Sequence, residues 1–283
     1  MLPPIIVTGT PRSGKSVICR TIIKEQGFQW VREPQMIWNM GMGSREDDCR
    51  LADEATPELA EKIRRECLDL LEKPDNTYID DLSYHALRIP FLHAVMPEAK
   101  IIHVVRKPEL AIPEMLFGWT YRDSVSDAFT RRKKSIRLRG LPRMAFRFTR
   151  NYVSSRLKGS RVTWGPRVPN LAEFVSLHSP AEIAAFQWKS MIEIALDELS
   201  KIPKQNVIQV QFDALLQNPK TQALRIGEFC SVKNPEGFAE EATNFIDPDF
   251  KFDRKVNPTD VEWAKINPII EQARNRIDSI EFE

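Results

Sequence analysis

The residues of this sequence best suited to chemistry form the stretch Gly9-Thr10-Pro11-Arg12-Ser13-Gly14-Lys15-Ser16. Gly14 lets the backbone approach a bound group closely, and Arg12 and Lys15 supply positive charge. A β-branched run from Pro4 to Thr8 precedes the stretch, and a helical pattern follows it from Lys15 to about Glu25. Backbone amides that converge at the start of a helix bind phosphate. The stretch therefore predicts a phosphate-binding loop.

The elements that must position this loop alternate between strands and helices along the sequence. We predict further strands at 28–31, 78–80, 100–105 and 207–212, and helices at 56–72, 84–95, 179–199, 220–230 and 258–280. Residues 100–105 (KIIHVV) are the clearest interior strand, and Ser179 to Glu182 has the form of a capping box. This alternation predicts an α/β fold of the P-loop NTPase type, with a parallel sheet flanked by helices on both faces.

The composition is that of an ordinary globular protein. The chain has 283 residues, of which 42% are hydrophobic and 28% are charged, and no Gly/Ser-rich linker divides it, so we predict a single domain, 1–283. No apolar run approaches the ~20 residues of a membrane span, and Pro3-Pro4 argue against a signal peptide. The cysteines, Cys19, Cys49, Cys67 and Cys230, lack metal-binding or disulfide spacing. We therefore expect reduced thiols and a cytoplasmic location.

A basic run extends from Arg131 to Arg161 with no acidic residue among its cations. Its interleaved leucine and phenylalanine residues favour an amphipathic helix beside an anionic surface, and an ordinary solvated face is an equal alternative. The aromatic residues of the chain form no evident stacking platform, so we predict no specific nucleic-acid binding. The sequence predicts no oligomeric state.

The loop matches two known patterns. Literally, it satisfies G-x-x-x-x-G-K-[ST], which is typical of ATP- and GTP-binding proteins. Its core, Pro11 to Gly14, is also similar to the 5′-phosphosulfate loop of the sulfotransferases, usually written P-[KR]-S-G-T-T. The loop alone does not distinguish the two, so the distinction depends on the rest of the chain.

Three further blocks resemble the sulfotransferases, especially the bacterial enzymes and their Golgi-type relatives. Residues 78–119 are similar to the family's E-K-[ST]-P segment and the helix, FP-x-A-K, strand and R-[DN]-P that follow it. Residues 164–169 (WGPRVP) resemble W-G-x-R-x-P-G. Residues 207–219 resemble V-x-Y-E-D-L-x-x-x-P, with Phe212 and Asp213 at the Tyr and Glu positions. The blocks occur in the family's order, which a nucleotide kinase would not explain.

The resemblance implies the donor 3′-phosphoadenosine 5′-phosphosulfate (PAPS) and no metal. The residues that would hold its 5′-phosphosulfate are Thr10, Pro11, Arg12, Ser13, Gly14, Lys15 and Ser16. Arg12 would face the bridging oxygen, where charge builds as the S–O bond breaks, and Lys15 would add a second cation. Arg106 matches the family arginine that binds the 3′-phosphate, with a structural ion pair as the alternative. Arg161 and Arg167 are further candidates, or else belong to the basic face.

The resemblance departs from the family at Glu114, where the family has a serine that hydrogen bonds the 3′-phosphate. A carboxylate there would lie beside a dianion. Either Pro113 restarts the helix and turns Glu114 away, or an arginine neutralises it. Otherwise the pocket is altered and the donor differs.

The family's catalytic base is the glutamate of E-K-[ST]-P, and the matching carboxylate here is Asp80, with Asp81 at the lysine position. Paired carboxylates can raise one another's pKa, which would suit a base. A general base must lie within hydrogen-bond reach of its proton. A nearly equal alternative is that Asp80 has only a structural role, as a strand-end residue that caps the next helix. His85 is the second candidate for the base.

Three functions are consistent with the sequence. The first is a sulfotransferase acting on a hydroxyl or amine of a carbohydrate, lipid or small natural product. The second is a P-loop kinase for a small molecule, in which the strand at 78–80 supplies the aspartate that organises magnesium. The third is a catalytically retired fold that binds a nucleotide or an anionic partner. We expect the acceptor to bind between two segments, 35–55 and 122–160. The first segment has adaptable apolar side chains: Met36, Trp38, Met40 and Met42. Core packing or a dimer contact would explain these side chains equally well.

Overall fold

The computed structural model of the protein describes residues 2–121, 164–248, 250 and 254–280. The predicted basic run 131–161, Arg161 and the expected acceptor segment 122–160 lie outside the described residues. The strands are β1 (Ile5–Gly9), β2 (Phe28–Trp30), β3 (Thr77–Asp80), β4 (Lys100–Val105) and β5 (Val207–Gln211). They form one sheet in the order β2-β3-β1-β4-β5, and every pairing is parallel.

The described helices follow the strands in alternation. They are α1 (Lys15–Ile22), α2 (Gln35–Trp38), α3 (Pro57–Leu68), α4 (Ile89–Val95), α5 (Pro108–Thr120), α6 (Leu171–Leu177), α7 (Pro180–Leu199), α8 (Phe212–Gln217), α9 (Pro219–Phe229), α10 (Pro235–Phe245) and α11 (Asp260–Asp278). Several begin with proline in the first turn, where its missing N–H costs nothing. The predicted capping box is confirmed, because the Ser179 hydroxyl accepts from the Glu182 amide while the Glu182 carboxylate accepts from the Ser179 amide.

Alternating side chains along each strand build two apolar layers. On β1, Ile5 and Val7 pack with α1, α9 and α10, whereas Ile6 packs on the other face with α3, α4, α5, α7 and α11. This alternation follows from the two-residue repeat of a strand. Because both faces of the sheet are covered, the strands are apolar on both sides, as parallel strands require. The predicted α/β fold class, a parallel sheet with helices on both faces, is thus confirmed.

Two predicted elements differ in the structure. The helix expected at 84–95 is divided into a 3₁₀ turn, Ser83–Leu87, and α4, because Arg88 between them takes φ −142°, which is outside the helical range. The helix containing Pro113 does not restart there, since α5 is continuous, and the Pro113 carbonyl accepts a hydrogen bond from the Val256 amide. The first way to accommodate Glu114 is therefore excluded, and the second fits the 2.8 Å distance between Arg106 Nη1 and Glu114 Oε1.

The order of the strands creates a crevice at the carboxyl end of the sheet. The chain leaves β1 toward α1 on one face, and it leaves the neighbouring β4 toward α5 on the opposite face. Ligands of open α/β sheets bind where adjacent strands diverge in this way. The phosphate loop follows β1 and Arg106 follows β4, so both lie at this point. No helix within the described ranges is long and apolar enough to cross a membrane.

Candidate functional site

The phosphate loop is a tight turn that depends on glycine at two positions. Gly9 has φ 147°, and a Cβ there would lie 2.2 Å from the carbonyl oxygen of Val104 on β4. Gly14 has φ 96° and caps the start of α1 in the left-handed region. Arg12 also takes a positive φ, 65°, which is uncommon outside glycine and is typical of functional loops. The first amides of α1 lack intrahelical acceptors, so they are available to an anion.

Two of the distant sequence blocks pack directly against the loop. A Cβ on Gly14 would lie 2.2 Å from the ring of Phe212, so the third block forms the floor of the loop. A Cβ on Gly165 would lie 3.7 Å from Pro11, so the second block lies beside it. These contacts join segments far apart in the sequence, and they explain why the blocks accompany the loop.

Replacing Gly14 with alanine should destabilise the protein through both backbone strain and the clash with Phe212. Gly27 is the matched control, because it has φ 87° but no atom lies within 4 Å of an added Cβ. We expect Gly27→Ala to cost about 1–2 kcal/mol for the left-handed backbone, and Gly14→Ala about 1–3 kcal/mol more for overpacking. Urea denaturation measures both free energies of unfolding. Equal costs for the two variants would show that Phe212 does not support the loop.

Lys15 is buried and its ammonium group lies under the loop. Its Nζ donates to the carbonyl of Thr10 at 2.7 Å and lies 3.4 Å from both the Gly9 carbonyl and the Ser13 hydroxyl. Burial lowers the pKa of Lys15 to about 8, and the charge of Asp81 opposes that shift. Ser13 is buried, and the buried Thr10 hydroxyl has no hydrogen-bond partner within the described chain. These groups fit an anion that the loop encloses.

Arg106 connects the end of β4 to the loop and to two carboxylates. Its Nη1 donates to the Arg12 carbonyl at 3.0 Å and to Glu114 Oε1 at 2.8 Å, and its Nε lies 3.9 Å from Asp213 Oδ1. Both members of the Arg106–Glu114 pair are almost fully buried. Burial raises the pKa of Glu114 to about 7, although the charge of Arg106 lowers it. Arg106 therefore lies beside the loop and is ion-paired with Glu114.

Asp81 is the carboxylate that reaches the loop. Its Oδ2 accepts from the Ser16 hydroxyl at 2.9 Å, and its Oδ1 accepts from the Trp30 indole at 3.0 Å. Its charge also acts on Lys15. The side chain is only partly buried, so a reactant in the loop can approach it.

Asp80 instead lies in the core on the other side of the sheet and is completely buried. Its Oδ2 accepts from the Trp38 indole and the Tyr78 hydroxyl, both at 2.8 Å, and its Oδ1 lies 2.8 Å from Nε2 of His85. His85 is equally buried and packs edge-on against Trp38. Asp80 and Asp81 thus have separate partners, and the structure does not join them as a carboxylate pair. Whether Asp80 or His85 acts as the base stays a prediction.

The alternation of side chains along β3 separates the two aspartates. Tyr78 belongs to the apolar layer that contains α3, and Ile79 belongs to the layer that contains α1. Asp80 lies two residues after Tyr78 and is on the same face of the sheet. Asp81 lies two residues after Ile79 and is on the opposite face, which is the side of the loop and α1. Comparing E-K-[ST]-P one residue later places Asp81 on the glutamate and Ser83 on the serine or threonine position. The strand repeat and this alternative alignment were the available sequence signals for Asp81.

Arg167 is hydrogen bonded to the segment 45–48. Its Nη2 lies 2.8 Å from Asp48 Oδ1, and its Nη1 donates to the Arg45 carbonyl at 2.8 Å. These contacts attach the second block to the 45–48 segment, which belongs to the expected acceptor side. A nucleotide-binding role for Arg167 stays a prediction, as does one for Arg161, which is outside the described ranges.

Gln187 on α7 holds the second block beside the loop, and the sequence analysis did not identify it. Its Nε2 donates to the carbonyls of Trp164 and Pro166 at 2.9 and 2.6 Å, and its Oε1 accepts from Trp119 at 3.2 Å. A glutamine inside an amphipathic helix gives no signal of this kind. Trp38, which was one of the residues of the expected apolar acceptor surface, is fully buried and hydrogen bonded to Asp80.

The comparisons with known proteins find similarity in structure alone. No protein-family model matches the sequence, and no curated protein matches it significantly. Among solved structures, the chain is similar to sulfotransferase STF9 from Mycobacterium avium, with a TM-score of 0.55 and 13% identity over 100% of this chain and 78% of that one. It is also similar to sulfotransferase STF1 from Mycobacterium tuberculosis H37Rv, with a TM-score of 0.50 and 12% identity over 96% and 77% of the two chains. The chain therefore has a sulfotransferase-type α/β fold.

Proposed function

We propose that this protein is a sulfotransferase that moves a sulfuryl group from PAPS to a hydroxyl or amine acceptor. The observation that carries the proposal is the hydrogen bond from Arg106 to the Arg12 carbonyl, 3.0 Å long, which joins the loop to the arginine expected at the 3′-phosphate. PAPS has two anionic ends, and the cations Arg12 and Lys15 after β1 and Arg106 after β4 support a site for both of them. The fold of the chain supports the same class of reaction.

The residues of the site divide the work of the transfer. The loop amides, Ser13 and Lys15 would bind the 5′-phosphosulfate, which supplies the transferable sulfuryl group. Arg12 has no side-chain hydrogen-bond partner among the described residues, so its guanidinium is available to stabilise charge on the bridging oxygen as the S–O bond breaks. The acceptor oxygen or nitrogen forms the new bond to sulfur, and adenosine 3′,5′-bisphosphate leaves.

Asp81 is the proposed general base, which takes the proton from the acceptor, because this carboxylate lies at the loop and is partly exposed. Asp80 and His85 are buried with their partners, so in this proposal they support the end of β3. General-base action requires hydrogen-bond reach to the acceptor, and Asp81 is the carboxylate nearer to the loop's anion site. The acceptor class stays as broad as the sequence indicated: a carbohydrate, a lipid or a small natural product.

Adenosine 3′,5′-bisphosphate should stabilise the protein in the presence of EDTA. At a hundred times its Kd a ligand adds about 2.7 kcal/mol to the free energy of unfolding, which in a chain of this size raises Tm by several degrees. Differential scanning fluorimetry measures the shift, with adenosine 5′-monophosphate as the control that lacks the second phosphate. No shift with the bisphosphate and a large shift with Mg-ATP would overturn the proposal.

One contact favours a P-loop kinase as the second candidate. Magnesium in such enzymes is held by the loop's serine or threonine and by an aspartate after a neighbouring strand, and here Ser16 and Asp81 lie 2.9 Å apart. Within the described residues, no three His, Cys, Asp or Glu side chains come together in a group that could hold a metal ion. ATP hydrolysis that stops when EDTA is added would favour the kinase. Bisphosphate binding with no turnover of PAPS on any acceptor would favour a retired fold.

We also propose a cytoplasmic location. The four cysteines are free thiols, and three of them are buried, which fits a reducing compartment.

A further inference from the structure

A buried charge cluster lies where the proposed nucleotide would place its ribose. The guanidinium of Arg106 lies between two carboxylates, Glu114 on α5 and Asp213 on α8, at 2.8 and 3.9 Å. Arg106 therefore faces two potential anions, Glu114 almost fully buried and Asp213 partly exposed. A dianionic phosphate that approached Arg106 would have to share it with both carboxylates.

The charges that act on Glu114 come from each surrounding segment. They are Arg106 after β4, Arg12 in the loop and Lys255 before α11, and Asp213 reaches it through Arg106. The three cations favour the charged carboxylate, but burial outweighs them and raises the pKa of Glu114 to about 7. Burial also raises the pKa of Asp213. At neutral pH the proton on Glu114 is therefore easily gained or lost.

A proton on Glu114 would make the second oxygen of its carboxyl group a hydrogen-bond donor. Oε1 accepts from Arg106, whereas the buried Oε2 has no hydrogen-bond partner in the part of the chain that the structure describes. A charged carboxylate can only accept hydrogen bonds, but a protonated one has an O–H donor. A protonated Glu114 thus presents to a phosphate the same kind of donor as a serine hydroxyl, and it adds no negative charge.

On the basis of the proposed function, we propose that Glu114 binds the ribose-side phosphate of the nucleotide as a neutral carboxylic acid, so that binding takes up one proton. A phosphate dianion beside this carboxyl raises its proton affinity further, because like charges disfavour the ionised form. The substitution of the family serine by Glu114 then retains the site and makes its affinity dependent on pH.

The sign of the pH dependence follows from the protonation of the free protein. Below about pH 6 the free protein already carries the proton on Glu114, so this residue adds almost no pH dependence there. Above pH 7 the proton must be taken from solvent, and the affinity falls as the pH rises, by up to tenfold per pH unit. With a free pKa of about 7, the dissociation constant rises about fivefold between pH 7 and pH 8.

The experiment is isothermal titration calorimetry with adenosine 3′,5′-bisphosphate at pH 7 and pH 8, in pairs of buffers that differ in ionisation enthalpy. It compares the wild type with Glu114→Gln, which keeps a neutral hydrogen-bond donor, and with Glu109→Gln. Glu109 is the matched control, because it lies on the same helix but is exposed and pairs with Arg274. Adenosine 5′-monophosphate reports the contribution of Lys15, whose pKa is also perturbed.

We expect the wild type and Glu109→Gln to take up more than half a proton with the bisphosphate at pH 8. Glu114→Gln should bind it without this uptake and about tenfold more tightly than the wild type at pH 8. Equal proton uptake by wild type and Glu114→Gln would overturn the inference and leave the proposed function intact. A bisphosphate that binds neither protein at either pH would overturn both. Titration of the ligand's own phosphates is common to all variants and cancels in the comparison.

Discussion

Replacing Arg12 with methionine should slow cleavage of PAPS by about 10²–10³-fold, the usual effect of removing one group that stabilises charge in the transition state. The affinity for adenosine 3′,5′-bisphosphate should change much less, because the loop amides and Lys15 remain. Charge develops on the bridging oxygen mainly as the S–O bond breaks, so the effect belongs to the rate. Release of labelled sulfate from PAPS, with water as the acceptor, measures it without knowledge of the natural acceptor.

Arg20→Met is the control for the loss of a cation near the loop. Arg20 is exposed and lies on α1, the same helix that the loop opens. Its replacement should leave the rate within about twofold, since an exposed charge is largely screened. If Arg12→Met and Arg20→Met cleave PAPS equally fast, Arg12 does not assist the leaving group.

Replacing Asp81 with asparagine should lower the rate of sulfate release by about 10²–10³-fold, within the range usual for a general base. Asparagine has nearly the same shape; its amide oxygen can accept from the Trp30 indole while its N–H donates to the Ser16 hydroxyl, so the loop should keep its structure. Calorimetry with the bisphosphate should therefore show an affinity close to that of the wild type. A lower rate at unchanged affinity distinguishes a base from a binding group.

Asp80→Asn is the matched variant, since the neighbouring carboxylate has a different environment. Asp80 is completely buried and accepts from Trp38 and Tyr78, so the change should cost about 1–3 kcal/mol of stability with a smaller effect on the rate. If Asp81→Asn transfers at the wild-type rate while a folded Asp80→Asn does not, the base is the Asp80–His85 pair.

The sequence predicted the sheet well because each strand carries a local signal. Lys100–Val105 appears with its predicted bounds, and Ser179 marks the start of α7 through its capping box. The helices α2, α6, α8 and α10 were not predicted; the first three are 4, 7 and 6 residues long, so they depend on tertiary contacts and are too short to show a clear hydrophobic repeat. The turn at Arg88 was missed for a related reason: Pro90 is tolerated in the first turn of a helix, so it did not mark a break.

The candidate site was predicted in part. The loop and its neighbour Arg106 follow from strand ends, which sequence patterns locate well. The partners of each carboxylate do not follow from patterns, because they depend on which face a side chain takes and on what packs there. At the end of β3 the two neighbouring aspartates have opposite environments: Asp80 belongs to a buried hydrogen-bond network, whereas Asp81, one residue later, contacts Ser16 at the loop.

The contact between Gly14 and Phe212 has a consequence for how the protein is made. The loop lies near the amino terminus, but its floor comes from the segment after β5. During synthesis the loop therefore emerges long before the residue that supports it, and it cannot reach its final shape until the last strand has joined the edge of the sheet. A nascent chain that ends before residue 207 should not retain nucleotide, so acquisition of nucleotide binding would mark completion of the sheet on the ribosome.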